Sequence, residues 1–367
     1  MLTDAQQNLL RDDELSFRHR VGRGAKAPLQ QAMLWLQHSI GVGALQPVER
    51  SVIIHRLTNG DFSATGFLAD VSIDAYNHGH IKRHEATIAK SQAKMVKYMQ
   101  STRIFGNPVA LAHRVNADLR VLLGEHTGRT PDVDFEAIDG ARHELWIVGG
   151  APAESLCAHL NDDLYITDGH HRLAAASWLA EAEGTPDAYL PAAVFAEDEL
   201  TLGAYARSIT DGSLDGGEFL DSLRAQFPLQ EVDALVPRPS MPKQIGVRID
   251  QRSFLLDIPA DRIPSDLYEQ LDVNLLRDLI LGPFAGVLDP RTDERMQFSA
   301  DTADADLDVD GCTAWFLPFP PSVPDVMAVA DSGQTMPPKS TFFMPKVPSG
   351  LVVRLVDGDD PATAELP

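Results

Sequence analysis

The chain has 367 residues, with 31 lysines and arginines against 53 aspartates and glutamates, which gives a net charge of −22. This length supports a large core and two domains, and the acidic excess argues against non-specific binding of nucleic acid. No apolar run approaches the ~20 residues of a membrane span. Residues 1–20 are too polar for a secretory signal, and two cysteines make no disulfide framework, so we expect a cytoplasmic protein without membrane or nucleic-acid partners.

The first part of the chain contains an amphipathic segment and a hairpin. Residues 1–46 are predicted to be helical in part, with Trp35 and Leu36 on a buried stripe. Strands at 51–57 and 63–70 flank an Asn-Gly turn, which is a strong hairpin signal. The elements predicted next are a helix from residue 85, a strand at 108–112, a helix at 117–123, a hairpin at 135–138 and 144–148, a helix at 153–160, and strands at 164–167, 192–195 and 202–209.

A proline-rich stretch at 237–242 is the best candidate for a linker. It is followed by a predicted hairpin at 245–249 and 254–258, a long helix at 265–280, an acidic surface loop at 301–310 and a strand at 351–355. The acidic loop lacks the central glycine and terminal glutamate of a calcium-binding loop. Strand–helix units mixed with hairpins predict an α+β fold, divided into an N-terminal helical segment (1–46), a core domain (47–236) and a C-terminal α+β domain (243–367).

The central motif of the chain is Asp168-Gly169-His170-His171-Arg172, which follows a short apolar strand and begins a helix. Gly169 permits a sharp turn, and the first turn of a helix presents backbone N–H groups and the positive end of the helix dipole. In the simpler interpretation, Asp168 is only an N-cap and the histidines are surface residues. Helix N-termini favour negative side chains, however, and three potential cations crowd this one. We therefore favour a phosphate-binding site.

Two further clusters carry positive charge. Lys82, Arg83, His84 and Glu85 are predicted at another helix N-terminus, although a solvated basic turn is the alternative. Lys339, Ser340 and Thr341 echo the end of a P-loop without its glycines, and the preceding prolines favour a rigid, extended chain. For Lys339, an exposed lysine beside a proline is the competing interpretation.

Three motifs together resemble the DUF1015 family. They are Val-Ser-Ile-Asp-x-Tyr-x-x-Gly-x-Ile-Lys-Arg-His-Glu at 71–85, Tyr-Ile-Thr-Asp-Gly-His-His-Arg at 165–172, and Met-Pro-Pro-Lys-Ser-Thr-x-Phe-x-Pro-Lys at 336–346, with Leu-Asp-Val at 271–273 in addition. The likeness covers nearly the whole chain in order. It implies a ParB/sulfiredoxin-like core, similar to that of free-serine kinases, with nucleotide phosphates at 168–172. The family's Pro-Pro-Tyr-Asp-Val segment, expected before the region matching residues 8–20, is not found in this sequence, and the kinases' N-terminal catalytic glutamate has no placed counterpart.

The resemblance and the chemistry of phosphoryl transfer together suggest roles for these residues. Gly169, His170, His171 and Arg172 would hold the phosphates of ATP or ADP, and Asp168 would contact Mg²⁺. Asp168, His170 and Glu85 are the candidate catalytic residues, with Glu85 as the base. The residues expected to bring further charge or to close the site are Lys82, Arg83, His84, Lys339, Ser340 and Thr341.

The predicted function is nucleotide-dependent phosphoryl transfer to the hydroxyl of a small molecule, with free serine as a candidate. One alternative is a nucleotide-binding switch or scaffold that turns over no small molecule. A second is a metal-dependent hydrolase with His170 and His171 as ligands. Adjacent residues on a helix point about 100° apart and rarely bind one metal together, so the hydrolase is the weakest of the three.

Overall fold

The computed structural model describes residues 34, 36, 38–87, 89–137, 139–160, 162–185, 187–211, 214–290, 292–301, 312–337 and 339–355. Helices and mixed sheets occur throughout, which confirms the α+β prediction. The described residues fall into two compact units. The first is drawn from Met1–Arg83, Thr87–Leu200 and Pro345–Pro367, and the second from His84–Ala86 and Thr201–Met344. Most of the segment predicted at 1–46 lies outside the described residues, and residues 38–41 are helical.

The first unit is built on an eight-stranded mixed sheet. Its strands are β1 (Ser51–Asn59), β2 (Phe62–Ser72), β3 (Ile81–Lys82), β5 (Val109–His113), β6 (Val133–Glu136), β7 (Arg142–Gly149), β8 (Leu164–Asp168) and β9 (Tyr189–Ala196), in the spatial order β3-β8-β5-β9-β2-β1-β7-β6. A separate pair joins β4 (Ile104–Phe105) to β18 (Arg354–Leu355). The helices of this unit are α1 (Ile73–Asn77), α2 (Ala89–Thr102), α3 (Ala117–Thr127), α4 (Gly150–Ala158) and α5 (His170–Glu183), with a 3₁₀ turn at Glu197–Glu199.

One face of this sheet carries the core of the first unit. Strand residues such as Ile54, Phe67 and Val194 pack in one cluster with Leu173 and Ala176 of α5. Because side chains alternate along a strand, alternate residues of each strand reach this face, whereas β5, whose five residues are all buried, is covered on both faces. The predicted β1–β2 hairpin is confirmed, because Asn59 pairs with Phe62 across a turn in which Gly60 has a φ of 58°.

The second unit contains a six-stranded antiparallel sheet. Its strands are β11 (Tyr205–Ile209), β12 (Leu229–Val232), β13 (Gln244–Ile249), β14 (Arg252–Asp257), β15 (Met296–Ala300) and β16 (Ala314–Pro318), in the order β12-β14-β13-β16-β11-β15. A two-stranded sheet joins β10 (Thr201–Gly203) to β17 (Phe342–Met344). The helices are α6 (Gly216–Arg224), α7 (Asp272–Leu276), a π-helical stretch at Arg277–Leu281, α8 (Gly282–Ala285) and α9 (Val323–Asp331).

The boundary between the units lies near residue 200, not in the predicted linker at 237–242. The strands β11 and β12 precede that stretch but pair with β14, β15 and β16, which follow it, so the proline-rich stretch is internal to the second unit. The strand predicted at 202–209 is wrong as a single strand, because β10 and β11 belong to different sheets. Of the acidic loop predicted at 301–310, residues 302–310 lie outside the described residues.

The helix predicted at 265–280 begins later than expected, at Asp272. The Asp266 carboxylate accepts the backbone N–H groups of Tyr268 and Glu269, at 2.9 Å and 3.0 Å, which holds a turn there instead of a helix. Leu271 is extended, with a ψ of 135°, and serves as the N-cap. The strand predicted at 351–355 is shorter than expected and contains only Arg354 and Leu355.

Candidate functional site

Strand β8, Gly169 and helix α5 form a sharp corner, which we call the Gly169 corner (residues 168–172). The predicted succession of strand, glycine and helix is therefore confirmed. Gly169 has a φ of 96°, in the left-handed region. A Cβ at this position would lie 2.9 Å from Arg172 Nε and 2.9 Å from Val109 Cγ1. Both the backbone conformation and the lack of space therefore require glycine here.

Arg172 turns back towards the strands. Its Nη1 donates to the backbone carbonyls of Asn107 (2.9 Å) and Pro108 (2.7 Å), and its Nη2 donates to Asp168 Oδ2 at 2.6 Å. Only 12% of the side chain is exposed. The guanidinium group therefore ties the beginning of β5 to the end of β8 and sets the shape of the corner.

Asp168 lies between two cations. Oδ2 accepts from Arg172, and Oδ1 lies 3.6 Å from Lys346 Nζ. Lys346 belongs to a C-terminal segment that the backbone hydrogen bond from Gly350 to the Gly106 carbonyl (2.6 Å) fixes to the first unit. Sequence reasoning gave Lys346 no role, although the motif at 336–346 ends on it. Two positive side chains therefore contact this one carboxylate.

The two histidines occupy the first turn of α5. His170 is buried and His171 is half-buried, so the structure does not direct both imidazoles into bulk water. No side chain of the described residues caps this helix. The backbone N–H of Arg172 donates to the Gly169 carbonyl at 2.9 Å, and the helix dipole adds positive potential at this end of α5. The corner therefore suits an anion that approaches the beginning of α5.

Lys82 belongs to a strand, so the prediction that it lies at a helix N-terminus is wrong. Strand β3 pairs in parallel with β8, with Lys82 opposite Tyr165, and the described part of the next helix begins only at Ala89. Lys82 Nζ lies 2.6 Å from Asp163 Oδ2, and its hydrogen bond lowers the pKa of Asp163. Arg83, next in the chain, is exposed. The charge of Lys82 is therefore already matched by a carboxylate.

His84 lies in a bend, Glu85 forms a β-bridge, and both belong to the second unit, so they too lie outside a helix N-terminus. The backbone N–H of Met336 donates to the His84 carbonyl at 2.6 Å, and Glu85 forms a β-bridge with Met336. His84 is buried, with Nε2 3.2 Å from Thr341 Oγ1. Two of the sequence motifs, 71–85 and 336–346, therefore meet within this unit.

The remaining residues of the third cluster adopt a tight turn. Ser340 is buried and its hydroxyl donates to the Pro337 carbonyl at 2.6 Å. Lys339 has a φ of 59°, and its Nζ lies 5.1 Å from the centre of the Tyr205 ring. Its carbonyl accepts from Arg207 Nη2 at 3.3 Å. The side chain of Lys339 therefore contacts an aromatic ring, while its backbone contributes to the fold.

The predicted site residues thus fall into two sets. Lys82, Arg83, Asp168, Gly169, His170, His171 and Arg172 belong to the first unit, and His84, Glu85, Lys339, Ser340 and Thr341 belong to the second. The part of the chain that the structure describes contains no group of three histidine, cysteine or carboxylate side chains placed to hold a metal ion. It also contains no helix long and apolar enough to span a membrane.

A family model described as "Protein of unknown function (DUF1015)" matches residues 5–274. Among solved structures, the chain is similar to a conserved hypothetical protein from Pyrococcus furiosus, with 15% identity, 77% of this chain and 93% of the other covered, and a TM-score of 0.38. It is similar to a free serine kinase in complex with AMP, with 15% identity, 76% of this chain and 87% of the kinase chain covered, and a TM-score of 0.38. It is also similar to SbnI with a C-terminal truncation from Staphylococcus aureus, with 14% identity, 80% of this chain and 90% of the SbnI chain covered, and a TM-score of 0.44. None of the curated proteins matches the chain.

Proposed function

The chain belongs to the DUF1015 family, and we propose that it transfers a phosphoryl group from ATP or ADP to the hydroxyl of a small molecule, with free serine as the first candidate. The observation that supports this most is the Gly169 corner. A buried strand ends there in a left-handed glycine, and a 14-residue helix begins with two histidines. Phosphate groups bind readily at such helix N-termini, since backbone amides and the dipole both favour negative charge.

The charges at the corner support binding of an anion. Asp168 contributes one negative charge, and Arg172 and Lys346 contribute two positive charges. Arg172 already donates to three protein oxygens, so its part in binding is to neutralise Asp168 and to fix the backbone. The phosphates would then contact the first turn of α5, together with His170 and His171. The two cations, Arg172 and Lys346, lie in a chain whose net charge is −22.

Asp168 is the candidate contact for Mg²⁺. Magnesium keeps several waters and commonly binds one or two carboxylates together with substrate phosphates. Asp168 is a single carboxylate whose side chain is 47% exposed. Such a ligand suits a magnesium ion that arrives with the nucleotide better than a magnesium ion that the protein holds permanently. When bound, such an ion neutralises charge on the phosphates.

The roles suggested for His84, Glu85, Lys339, Ser340 and Thr341 stay predictions from the sequence, with Glu85 still the proposed base. The proposed roles of Lys82 and Arg83 in phosphate binding also stay predictions. The ParB/sulfiredoxin-like relationship and the cytoplasmic location are likewise part of the proposal.

The test is a product assay with the full chain. The protein is incubated with ATP or ADP, Mg²⁺ and a pool of hydroxy-amino acids, and phosphorylated products are sought by ³¹P NMR and mass spectrometry. A phosphorylated hydroxy-amino acid that disappears in the Glu85→Gln variant would support both the activity and the base. Nucleotide binding without any product would favour the alternative, a nucleotide-binding switch or scaffold. Absence of nucleotide binding would contradict both.

A further inference from the structure

A second concave site lies at the far end of strand β5 from the Gly169 corner. In the sheet order β5-β9-β2-β1, His113 pairs with Ala196, and Thr65 pairs with Arg56. Thr65 and Ala196 each lie one step beyond the Gly66–Phe195 pair. These residues therefore form one row across four neighbouring strands, at the edge of the apolar core.

Helix α3 covers this row. Leu119, Leu123 and Thr127 recur at helical spacing and face the row, and between them they enclose a cleft of ≈ 170 Å³, which we call the α3 cleft. Glu199, from the 3₁₀ turn after β9, completes its wall. The volume suits a compact molecule, because pockets for drug-sized ligands are typically about 300–1,000 Å³.

The α3 cleft is separate from the Gly169 corner. Strand β5 runs antiparallel to β8, and Ala110 lies opposite Asp168. His113 is three residues further along β5, which corresponds to about 10 Å at the usual rise of a strand. All residues that line the cleft belong to the first unit.

Among the described residues of the cleft, two side chains each have an acceptor atom that can receive a further hydrogen bond. His113 Nδ1 donates to the Arg114 carbonyl at 2.7 Å. Burial lowers the pKa of His113, so the ring is neutral near pH 7 and Nε2 carries a lone pair. Glu199 Oε2 accepts the backbone N–H of Thr65 at 2.9 Å, which leaves Oε1 for another donor. A group with several N–H donors and a positive charge matches both.

The charged side chains around the cleft also favour a ligand with a positive group. Arg120 is paired with Asp198 through two hydrogen bonds, at 2.7 Å and 2.5 Å. Arg56 lies 3.7 Å from Glu144, which is also 3.5 Å from Arg142, and its Nε donates to Thr65 Oγ1 at 3.3 Å, so its Nη atoms can still meet a carboxylate. The 3₁₀ turn places three carboxylates, Glu197, Asp198 and Glu199, near the single Arg120. This excess of acid favours a cationic group on that wall of the cleft.

We infer that the α3 cleft binds a small amino acid. The ammonium group donates to Glu199 and His113, the carboxylate accepts from Arg56 and the hydroxyl of Thr65, and a compact apolar side chain packs on the leucines of α3. This inference does not rest on the proposed phosphoryl transfer, because binding here needs no nucleotide and no residue of the Gly169 corner.

The test uses three probes of the same shape without nucleotide: valine, isobutylamine, which lacks the carboxylate, and isovalerate, which lacks the ammonium group. Binding to the full chain is measured by ligand-observed NMR and calorimetry. We expect valine to bind most tightly, isobutylamine more weakly, and isovalerate not at all. If none of the three probes binds, or if isovalerate binds as well as valine, the inference is wrong.

Two variants test whether valine binds in the α3 cleft. Glu199→Gln keeps an oxygen for the Thr65 amide, and His113→Asn keeps a donor for the Arg114 carbonyl, so both should fold. Each should weaken valine binding about tenfold or more, since hydrogen bonds to charged groups are strong. Glu154→Gln, which changes an exposed carboxylate on α4, is the matched control and should bind like the wild type. Unchanged affinity in both cleft variants would place valine elsewhere and overturn the inference.

Discussion

The polar side chains at the two ends of strand β5 are used differently. At the Val109 end, Arg172 donates to three protein oxygens and Asp168 contacts two cations. At the His113 end, His113 and Glu199 each use one atom for the fold and keep another for a ligand. At the Gly169 corner the same groups therefore serve stability and binding. In the α3 cleft these two roles are divided between different atoms.

This difference leads to contrasting expectations for mutations. A variant within residues 168–172 should lose stability and ligand affinity together, because Arg172 and Asp168 hold the backbone that meets the anion. In the cleft, an isosteric variant should lose affinity alone. Stability and binding must therefore be measured on the same protein samples.

The largest effect is expected for Gly169→Ala. The new Cβ would lie 2.9 Å from Arg172 Nη2 and from Val109 Cγ1, in a residue whose φ is 96°. Backbone strain and crowding together should reduce the free energy of unfolding by about 4 kcal/mol. Denaturant unfolding measures the change, and nucleotide affinity should fall with it.

Gly184→Ala is the matched control on the same helix. Gly184 ends α5 with a φ of 67°, and a Cβ there would meet nothing within 4 Å. Only the strain of the positive φ applies here. We therefore expect the free energy of unfolding to fall by about 1 kcal/mol and the nucleotide affinity to stay unchanged. Equal losses for the two variants would show that crowding at the corner is unimportant.

Arg172→Ala should destabilise the fold almost as much. The change leaves the carbonyls of Asn107 and Pro108 without this donor and removes the closer cation from Asp168. We expect the free energy of unfolding to fall by about 3 kcal/mol, as it does when other largely buried charged groups lose their partner. Arg142→Ala removes an exposed pair with Asp134 and should change the free energy of unfolding far less than Arg172→Ala does. If Arg172→Ala lowers nucleotide affinity without lowering stability, then the guanidinium binds phosphate directly and our description of the corner fails.

Acid should destabilise the first unit through its buried imidazoles. His55 Nε2 lies 2.9 Å from His143 Nδ1, and burial lowers the pKa of His55 to about 3. The unfolded chain therefore binds a proton below pH 6.5 that the folded chain does not, and stability falls as the pH drops from 6.5 towards 3. At pH 5 the loss from His55 should be about 2 kcal/mol.

The variant His55→Gln isolates this contribution, because an amide can occupy a hydrogen-bonding position without titrating. Its stability should depend less steeply on pH between 6.5 and 5 than that of the wild type. Burial also raises the pKa of Asp272, in the second unit, to about 6, which stabilises the fold as the pH falls. This opposite contribution is present in both proteins and cancels in the comparison.

Local features of the fold could be predicted from the sequence because their causes are local. Asn59-Gly60 specifies a hairpin through glycine's access to positive φ, and Gly169 marks the corner for the same reason. The helix expected from residue 85 was misplaced, since Glu85 instead pairs with Met336, a contact between residues distant in sequence. No periodicity within residues 82–90 carries that information.

The partners of the charged groups could not be predicted, because sheet pairing brings them from distant parts of the chain. Arg172 reaches carbonyls more than 60 residues earlier, at 107 and 108, only because β5 and β8 are neighbours. The α3 cleft combines His113, Thr65 and Glu199, none of which belongs to a recognisable motif. Motif reasoning therefore found the corner and missed the cleft.

The smallest effect is expected for Lys346→Met. Lys346 Nζ lies 3.6 Å from Asp168 Oδ1 with 40% of the side chain exposed, so stability should change by less than about 1 kcal/mol. The lost charge should still weaken ADP binding about fivefold at low salt, and the difference from wild type should shrink as salt is added, because exposed charges are screened. Lys94→Met, on the exposed face of α2, is the control for a general change of charge and should leave ADP affinity unchanged. An equal loss in both variants would mean that the overall charge, and not the Gly169 corner, attracts the nucleotide.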